Sequence, residues 1–162
     1  MIISKELNDA INAQIGREFG ASHQYINIAT WYDGEGLKKL AELFYKQADE
    51  EHEHAMKFIE YIVDTGGTVS IPSVAAPKST FATAEETVQL SLDWEIEVTH
   101  QINQLYALAV SQKDYASQNF LDWFVEEQVE EINSMENLLK ITQRAGEKNL
   151  IMLEAYLSHR EE

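Results

Sequence analysis

Glycine and proline interrupt this 162-residue sequence at so few places that the segments between them read as long helices. Residues 5–32 carry only Gly16 and Gly20 before D-G-E-G breaks the run at 33–36. A second run, 37–65, ends at T-G-G (65–67), and both prolines, Pro72 and Pro77, fall in the stretch that follows. Thr83 and Glu86 then form a T-x-x-E capping box, whose hydroxyl and carboxylate satisfy N–H groups that a helix start leaves free. The third run lasts to about Lys113 and the fourth extends from Asp114 to about Ala145. Gly146 precedes a short apolar segment near 150–157.

The links between these runs set the topology. The first and third links are short, so each joins two antiparallel neighbours. The second, about 17 residues, reaches roughly 55–60 Å when extended, against roughly 42 Å for a helix of about 28 residues. It can therefore run the length of a bundle and make the second and third helices parallel. The expected fold is all-α: a single domain over 1–162 with a four-helix bundle at about 5–145. One long crossover lies between its second and third helices, and a short fifth helix follows at about 148–159.

An apolar stripe at i, i+3, i+4, i+7 spacing runs along each helix, and each stripe is interrupted by acid near its midpoint. The first reads Leu7, Ile11, Gln14, Glu18, Ala21, Tyr25, Ile28, Tyr32, and the second places Glu51 between Ala48 and Ala55. The third has Glu95 between Leu92 and Val98, and the fourth has Gln128 and Glu131 between Phe124 and Met135. Helices aligned by their ends bring these midpoints to one level of the core. A lone buried carboxylate costs several kcal/mol and several together repel, so the cluster calls for a compensating cation. No Lys or Arg on the stripes supplies it, which points to a metal.

The second helix offers histidines beside Glu51 in A-D-E-E-H-E-H-A-M (48–56). His54 follows Glu51 by three residues and sits about 60° from it on one shoulder of the stripe, with His52 on the other. Angle alone does not choose between them. The i, i+3 spacing of an E-x-x-H pair and Glu50 beyond His54 favour His54, with Glu53 in solvent and Glu50 at the margin. Tyr25, two turns after Glu18, reads equally as a packed phenol bonded to a carboxylate or as a redox-active neighbour. Glu127 and Glu130 flank Glu131 on the Glu50 side, where a further cation position is open. His23, His100 and His159 read as surface residues.

The absence of cysteine removes disulfides, thiolate metal sites, iron–sulfur clusters and a catalytic thiol. What remains are carboxylate, imidazole and amide groups, hard ligands suited to iron, manganese or magnesium. A formal charge of −16 argues against nucleic acid or an anionic membrane as partner, and is compatible with attracting cations. The opening M-I-I-S-K-E-L lacks a basic segment followed by an apolar run. No apolar stretch approaches the roughly 20 residues of a membrane span. A cytoplasmic protein is the expectation.

Four segments, G-R-E-F-G-A-S-H-Q-Y (16–25), A-D-E-E-H-E-H-A-M (48–56), D-W-E-I-E-V-T (93–99) and N-F-L-D-W-F-V-E-E-Q-V-E-E (119–131), resemble the non-heme bacterial ferritins, and the similarity covers nearly the whole chain. The resemblance implies a 24-subunit homo-oligomeric shell that oxidises Fe(II) with O2 or H2O2 at a di-iron centre and stores the ferric mineral inside. By that likeness Glu18, Glu51 and His54 form a first iron site. Glu51 bridges to a second site formed with Glu95 and Glu131, near the Gln128 amide. Glu50, Glu127 and Glu130, with Glu131 shared, match a third iron site; Tyr25 and Trp123 match aromatics beside the centre. Val129 and Ile132 depart from the polar or acidic residues some relatives carry there, which bears on the third site.

Heme is not expected. Where the heme-binding branch places a methionine inside E-x-x-H, this chain has His52 and Glu53, and its fourth helix reads Glu127-x-x-Glu130 without histidine. A di-iron oxygenase or a peroxide-scavenging enzyme on the same bundle is the alternative function.

Overall fold

The breaks in the sequence become helix ends in the computed structural model, which describes residues 2–160. Helix α1 spans Lys5–Gly34, α2 Lys38–Asp64, α3 Ala84–Ser111 and α4 Tyr115–Ala145; a 3-10 turn at Glu147–Asn149 leads into α5, Leu150–Arg160. Side chains cap three of the starts. Ser4, Thr83 and Asp114 accept from the N–H groups of Leu7, Glu86 and Ser117. The Glu86 carboxylate accepts from Ala82 N–H at 2.8 Å.

Helix α2 has no such cap, because Leu37 precedes it. Its start is closed by a remote side chain: both oxygens of Glu154, on α5, accept from Lys39 and Leu40 N–H at 3.0 and 2.9 Å. Glu147 does the same for α3 through Ala84 and Glu85 N–H. Negative charge at a helix N-terminus is favourable, so the fifth segment is tied to the bundle by charge as well as by buried Leu153 and Leu157.

Cross-contacts fix the directions. Tyr32 at the end of α1 meets Thr87 at the start of α3, 2.6 Å between hydroxyls. Ser4 before α1 donates to Gln112 after α3, also at 2.6 Å. Helices α1 and α3 are thus antiparallel, and α2 and α3 are parallel as the link length allows. The crossover, residues 65–83, is a strap laid along one face of α1. Asn8 and Asn12 clamp its near end: their amides donate to the Thr68 carbonyl at 3.1 and 2.8 Å, and their oxygens accept from Thr68 and Ser70 N–H. Gln24 exchanges two 2.9 Å bonds with the Lys78 backbone farther on. Between them a Cβ on Gly16 would lie 2.5 Å from Pro72 Cγ, and one on Gly20 3.6 Å from Val74 and Trp94. Every fourth residue of that face is therefore an amide clamp or a glycine that lets the strap approach.

The hydrophobic core comes in two parts. One half gathers Ile28, Tyr32, Leu40, Phe44, Val88 and Leu138; the other gathers Leu7, Ile11, Phe58, Ile62, Ile102 and Leu121. A layer of polar side chains lies between them. Among the described residues, no helix is long and apolar enough to cross a membrane.

Candidate metal centre

All four helices send acid into that layer. Glu18, Glu51, Glu95 and Glu131 are each no more than 4% exposed, and His54 and Gln128 are equally buried at 3% and 2%. No Lys or Arg is buried among the described residues. Residues near the midpoints of helices of similar length meet at one level, and the two core halves seal the layer above and below.

The hydrogen bonds that reach these carboxylates from side chains of other residue types come from neutral donors. Gln14 donates to Glu18 Oε1 at 2.8 Å, and Tyr25 to Glu95 Oε1 at 2.5 Å. Gln128 donates to Glu95 Oε2 at 3.1 Å, and Gln47 to Glu131 Oε2 at 2.9 Å. Two buried oxygens, Glu18 Oε2 and Glu51 Oε1, have no hydrogen-bond partner. His54 Nδ1 lies 3.3 Å from Glu51 Oε2 and 3.9 Å from Glu18 Oε2. Its Nε2 lies 3.9 Å from Glu127 Oε1. The ring is held edge-on by Trp123 and Phe124, at 5.3 and 5.9 Å between centroids. The Lys57 ammonium lies over the Trp123 ring, 3.3 Å from its centre.

Electrostatics follow from crowding without counter-charge. Burial first, then Glu95 and Glu18, hold the Glu51 carboxyl well above the usual carboxylate range. Glu95 is pushed up to about 7 by burial, against the opposing pull of the Tyr25 and Gln128 hydrogen bonds. Glu131 rises to about 8 by burial and the nearby Glu95, eased by Gln47. Burial also lowers His54, leaving its imidazole neutral and able to offer a lone pair, and raises the Tyr25 phenol.

Three groups of side chains converge closely enough to hold an ion: Glu18, Glu51 and His54; Glu51, Glu95 and Glu131; and His54, Glu127 and Glu131, with ligand atoms within 4.8 Å of one another in each. Glu51 belongs to the first two and Glu131 to the last two. Glu50 and Glu127 are half-buried and Glu130 is exposed; all three line a groove of about 610 Å³ between α2 and α4 that also reaches Glu131. Glu50 and Glu130 belong to none of the three groups. His52 is exposed, its ring 5.6 Å from that of Phe19, so packing separates the two histidines. His23, His100 and His159 are exposed as well. Sequence reasoning missed the two supporting amides, Gln14 and Gln47. Gln14 lies four residues before its partner Glu18, an i, i+4 relation that could have exposed its role, whereas Gln47 bonds Glu131 on another helix and carries no local signal.

Residues 8–145 match the family described as Ferritin, the ferritin-like domain. The chain belongs to the ferritin family. It is 41% identical over 148 residues to Ferritin BfrB of Mycolicibacterium smegmatis, covering 91% of this chain and 81% of that one. It is 38% identical over 146 residues to the bacterial non-heme ferritin of Staphylococcus aureus, covering 90% and 88%. Among solved structures, an open pore ferritin from the hyperthermophilic archaeon Archaeoglobus fulgidus superposes with a TM-score of 0.93 at 33% identity, covering 97% of each chain. In this ferritin chain the donor set, four carboxylates, one imidazole and one amide, suits a hard, oxygen-seeking ion such as iron.

Proposed function

We propose that this chain stores iron: it binds Fe(II) as substrate at the buried centre, oxidises it with O2 or H2O2, and passes ferric product into a shell of 24 copies. The observation that carries the proposal is the pair of orphaned oxygens, Glu18 Oε2 and Glu51 Oε1, in a layer with no Lys or Arg among the described residues. Carboxyl oxygens left without a partner inside a protein cost several kcal/mol, and a divalent cation removes that cost.

In this proposal Glu18, Glu51 and His54 hold one ion, and Glu51, Glu95 and Glu131 the second, with Glu51 between them and Gln128 beside it. Two Fe(II) ions give up one electron each; O2 with two protons takes the pair to become H2O2, and two Fe(III) remain. Carboxylate oxygens favour Fe(III) over Fe(II), which lowers the potential for oxidation. Tyr25 holds Glu95 in place through its 2.5 Å bond. Glu50, Glu127 and Glu130, at the groove, are proposed to receive a third ion together with Glu131.

The test is aerobic Fe(II) addition to metal-free protein, following ferric absorbance and soluble bound iron, with the assembly mass measured in parallel. Fast oxidation of the first two or three irons per chain, then hundreds more per assembly kept soluble, is expected. Uptake that stops at about two per chain would leave the centre but remove storage, and would favour an oxygenase or peroxidase.

A further inference from the structure

Glu131 is the carboxylate with two allegiances. It closes the buried group with Glu51 and Glu95, and it also closes the shallower group with His54 and Glu127. One carboxylate can bridge two cations, but with Oε2 engaged by an amide only Oε1 is fully free, so what orients this side chain bears on which cation position is complete. Its one hydrogen-bond partner among the described residues is the Gln47 amide, 2.9 Å from Oε2.

Gln47 is well placed to act on that choice. It is half-buried on α2, one turn before Glu51, and lines the same groove as Glu50, Glu127 and Glu130. It therefore stands where the sealed layer opens to the groove. An amide N–H donated to one carboxylate oxygen restricts rotation of the other, so Oε1 is presented to a cation without the entropic cost of finding its direction. Being neutral, the amide does this without competing with the cation for the charge. His54 adds a constraint: when Nδ1 gives its lone pair to the buried ion, the neutral ring carries its proton on Nε2, the atom facing Glu127. The group of His54, Glu127 and Glu131 is then short of a ligand whenever the buried centre is filled.

We propose that Gln47 is a positioning residue that commits Glu131 to the buried group, so that the second ion is held with Glu51 and Glu95 and not in the groove. This rests on the metal-centre reading above. It assigns to Gln47 a role in occupancy and not in ligation.

The test is a Co2+ titration of the metal-free protein, followed through the cobalt d–d bands, in the natural chain and in Gln47→Met, which keeps the side-chain length and removes the donor. The ion that disappears in His54→Ala identifies the first position. Two Co2+ per chain are expected in the natural protein. In Gln47→Met the second is expected to bind about 10-fold more weakly, with an altered band, while the first keeps its affinity and spectrum. Equal affinities in both proteins, or equal weakening of both ions, overturn the assignment to Gln47. A natural chain that binds no Co2+ overturns the metal-centre reading itself, and this inference with it.

Discussion

Binding a divalent cation to the metal-free centre must expel protons, and the structure sets how many. With Glu95 near 7 and Glu131 near 8, both are largely protonated at pH 6. Filling the centre there should release about two protons per chain from this pair, falling to about a quarter of a proton at pH 8.5. Glu51, also raised, can only add to the value at either pH. Zn2+ is the suitable probe because it is redox-inert, and calorimetry in two buffers of different ionisation heat counts the protons directly. Release of fewer than one proton at pH 6, or release that does not fall toward pH 8.5, would refute the claim that these carboxyls are buried without a counter-charge. The same groups set the stability of the metal-free protein. Their folded pKa values lie above the ordinary 4.5, so the native state holds protons the unfolded chain has lost. Stability from them is full below about pH 4.5 and is lost as the pH rises through 7 and 8, on the order of 3 kcal/mol from Glu95 alone. Urea unfolding at pH 5 and pH 8 should show that loss, and saturating Zn2+ should reverse it.

Replacing Glu51 by Gln removes the most crowded charge while keeping its shape; the metal-free protein should gain about 1–3 kcal/mol at pH 8, read as a rise in Tm, and lose tight binding of both ions. An unchanged Zn2+ stoichiometry would contradict the shared role of Glu51. Tyr25→Phe deletes the donor to Glu95, so the metal-free fold should weaken by about 1.5–3 kcal/mol at pH 8 and by clearly less at pH 6, where Glu95 is already protonated. A loss independent of pH would show that only packing was disturbed. Gly16→Ala should gain about 1 kcal/mol in helix propensity yet destabilise overall by about 1–3 kcal/mol, because its Cβ would sit 2.5 Å from Pro72 and lift the strap. A higher Tm in that variant would mean the strap is held loosely.

The acids of the centre were legible because a buried stripe is a strict pattern: Glu18, Glu51, Glu95 and Glu131 each occupy a position that should be apolar. Gln47 was not, since it lies half-buried off the stripe and its partner is on another helix. The strap was legible only in its length. Asn8, Asn12 and Gln24 lie on a face of α1 that a surface-helix pattern assigns to water, and Gly16 and Gly20 read as mere weaknesses until Pro72 and Val74 are seen against them. The choice between His52 and His54 was beyond helical angle, because both flank Glu51. It was made by α4, whose Trp123 and Phe124 enclose one ring while the other remains exposed. Thr83 was legible as the local cap of α3, but the remote carboxylates at the starts of α2 and α3 were not: Glu154 and Glu147 reach them from 115 and 63 residues away in sequence, and no local signal carries that distance.

The choice of supports around the carboxylates bears on what the centre is for. An Arg or Lys beside Glu18 or Glu95 would stabilise the empty site, hold these groups ionised, and occupy the charge that a metal must meet. Amides and a phenol do something different. They fix Glu18 Oε1, Glu95 and Glu131 Oε2 in direction while leaving the charge itself uncompensated, and they leave Glu18 Oε2 and Glu51 Oε1 bare. The empty centre is thus oriented but strained, and the two apolar halves of the core hold the bundle together around it. A cation entering relieves that strain without first displacing a resident charge. A cation leaving is replaced by protons, because burial and the neighbouring acids raise Glu95 to about 7 and Glu131 to about 8. Exchange between proton and metal at physiological pH suits a centre through which iron passes, and a permanently bound cofactor would have no need of it.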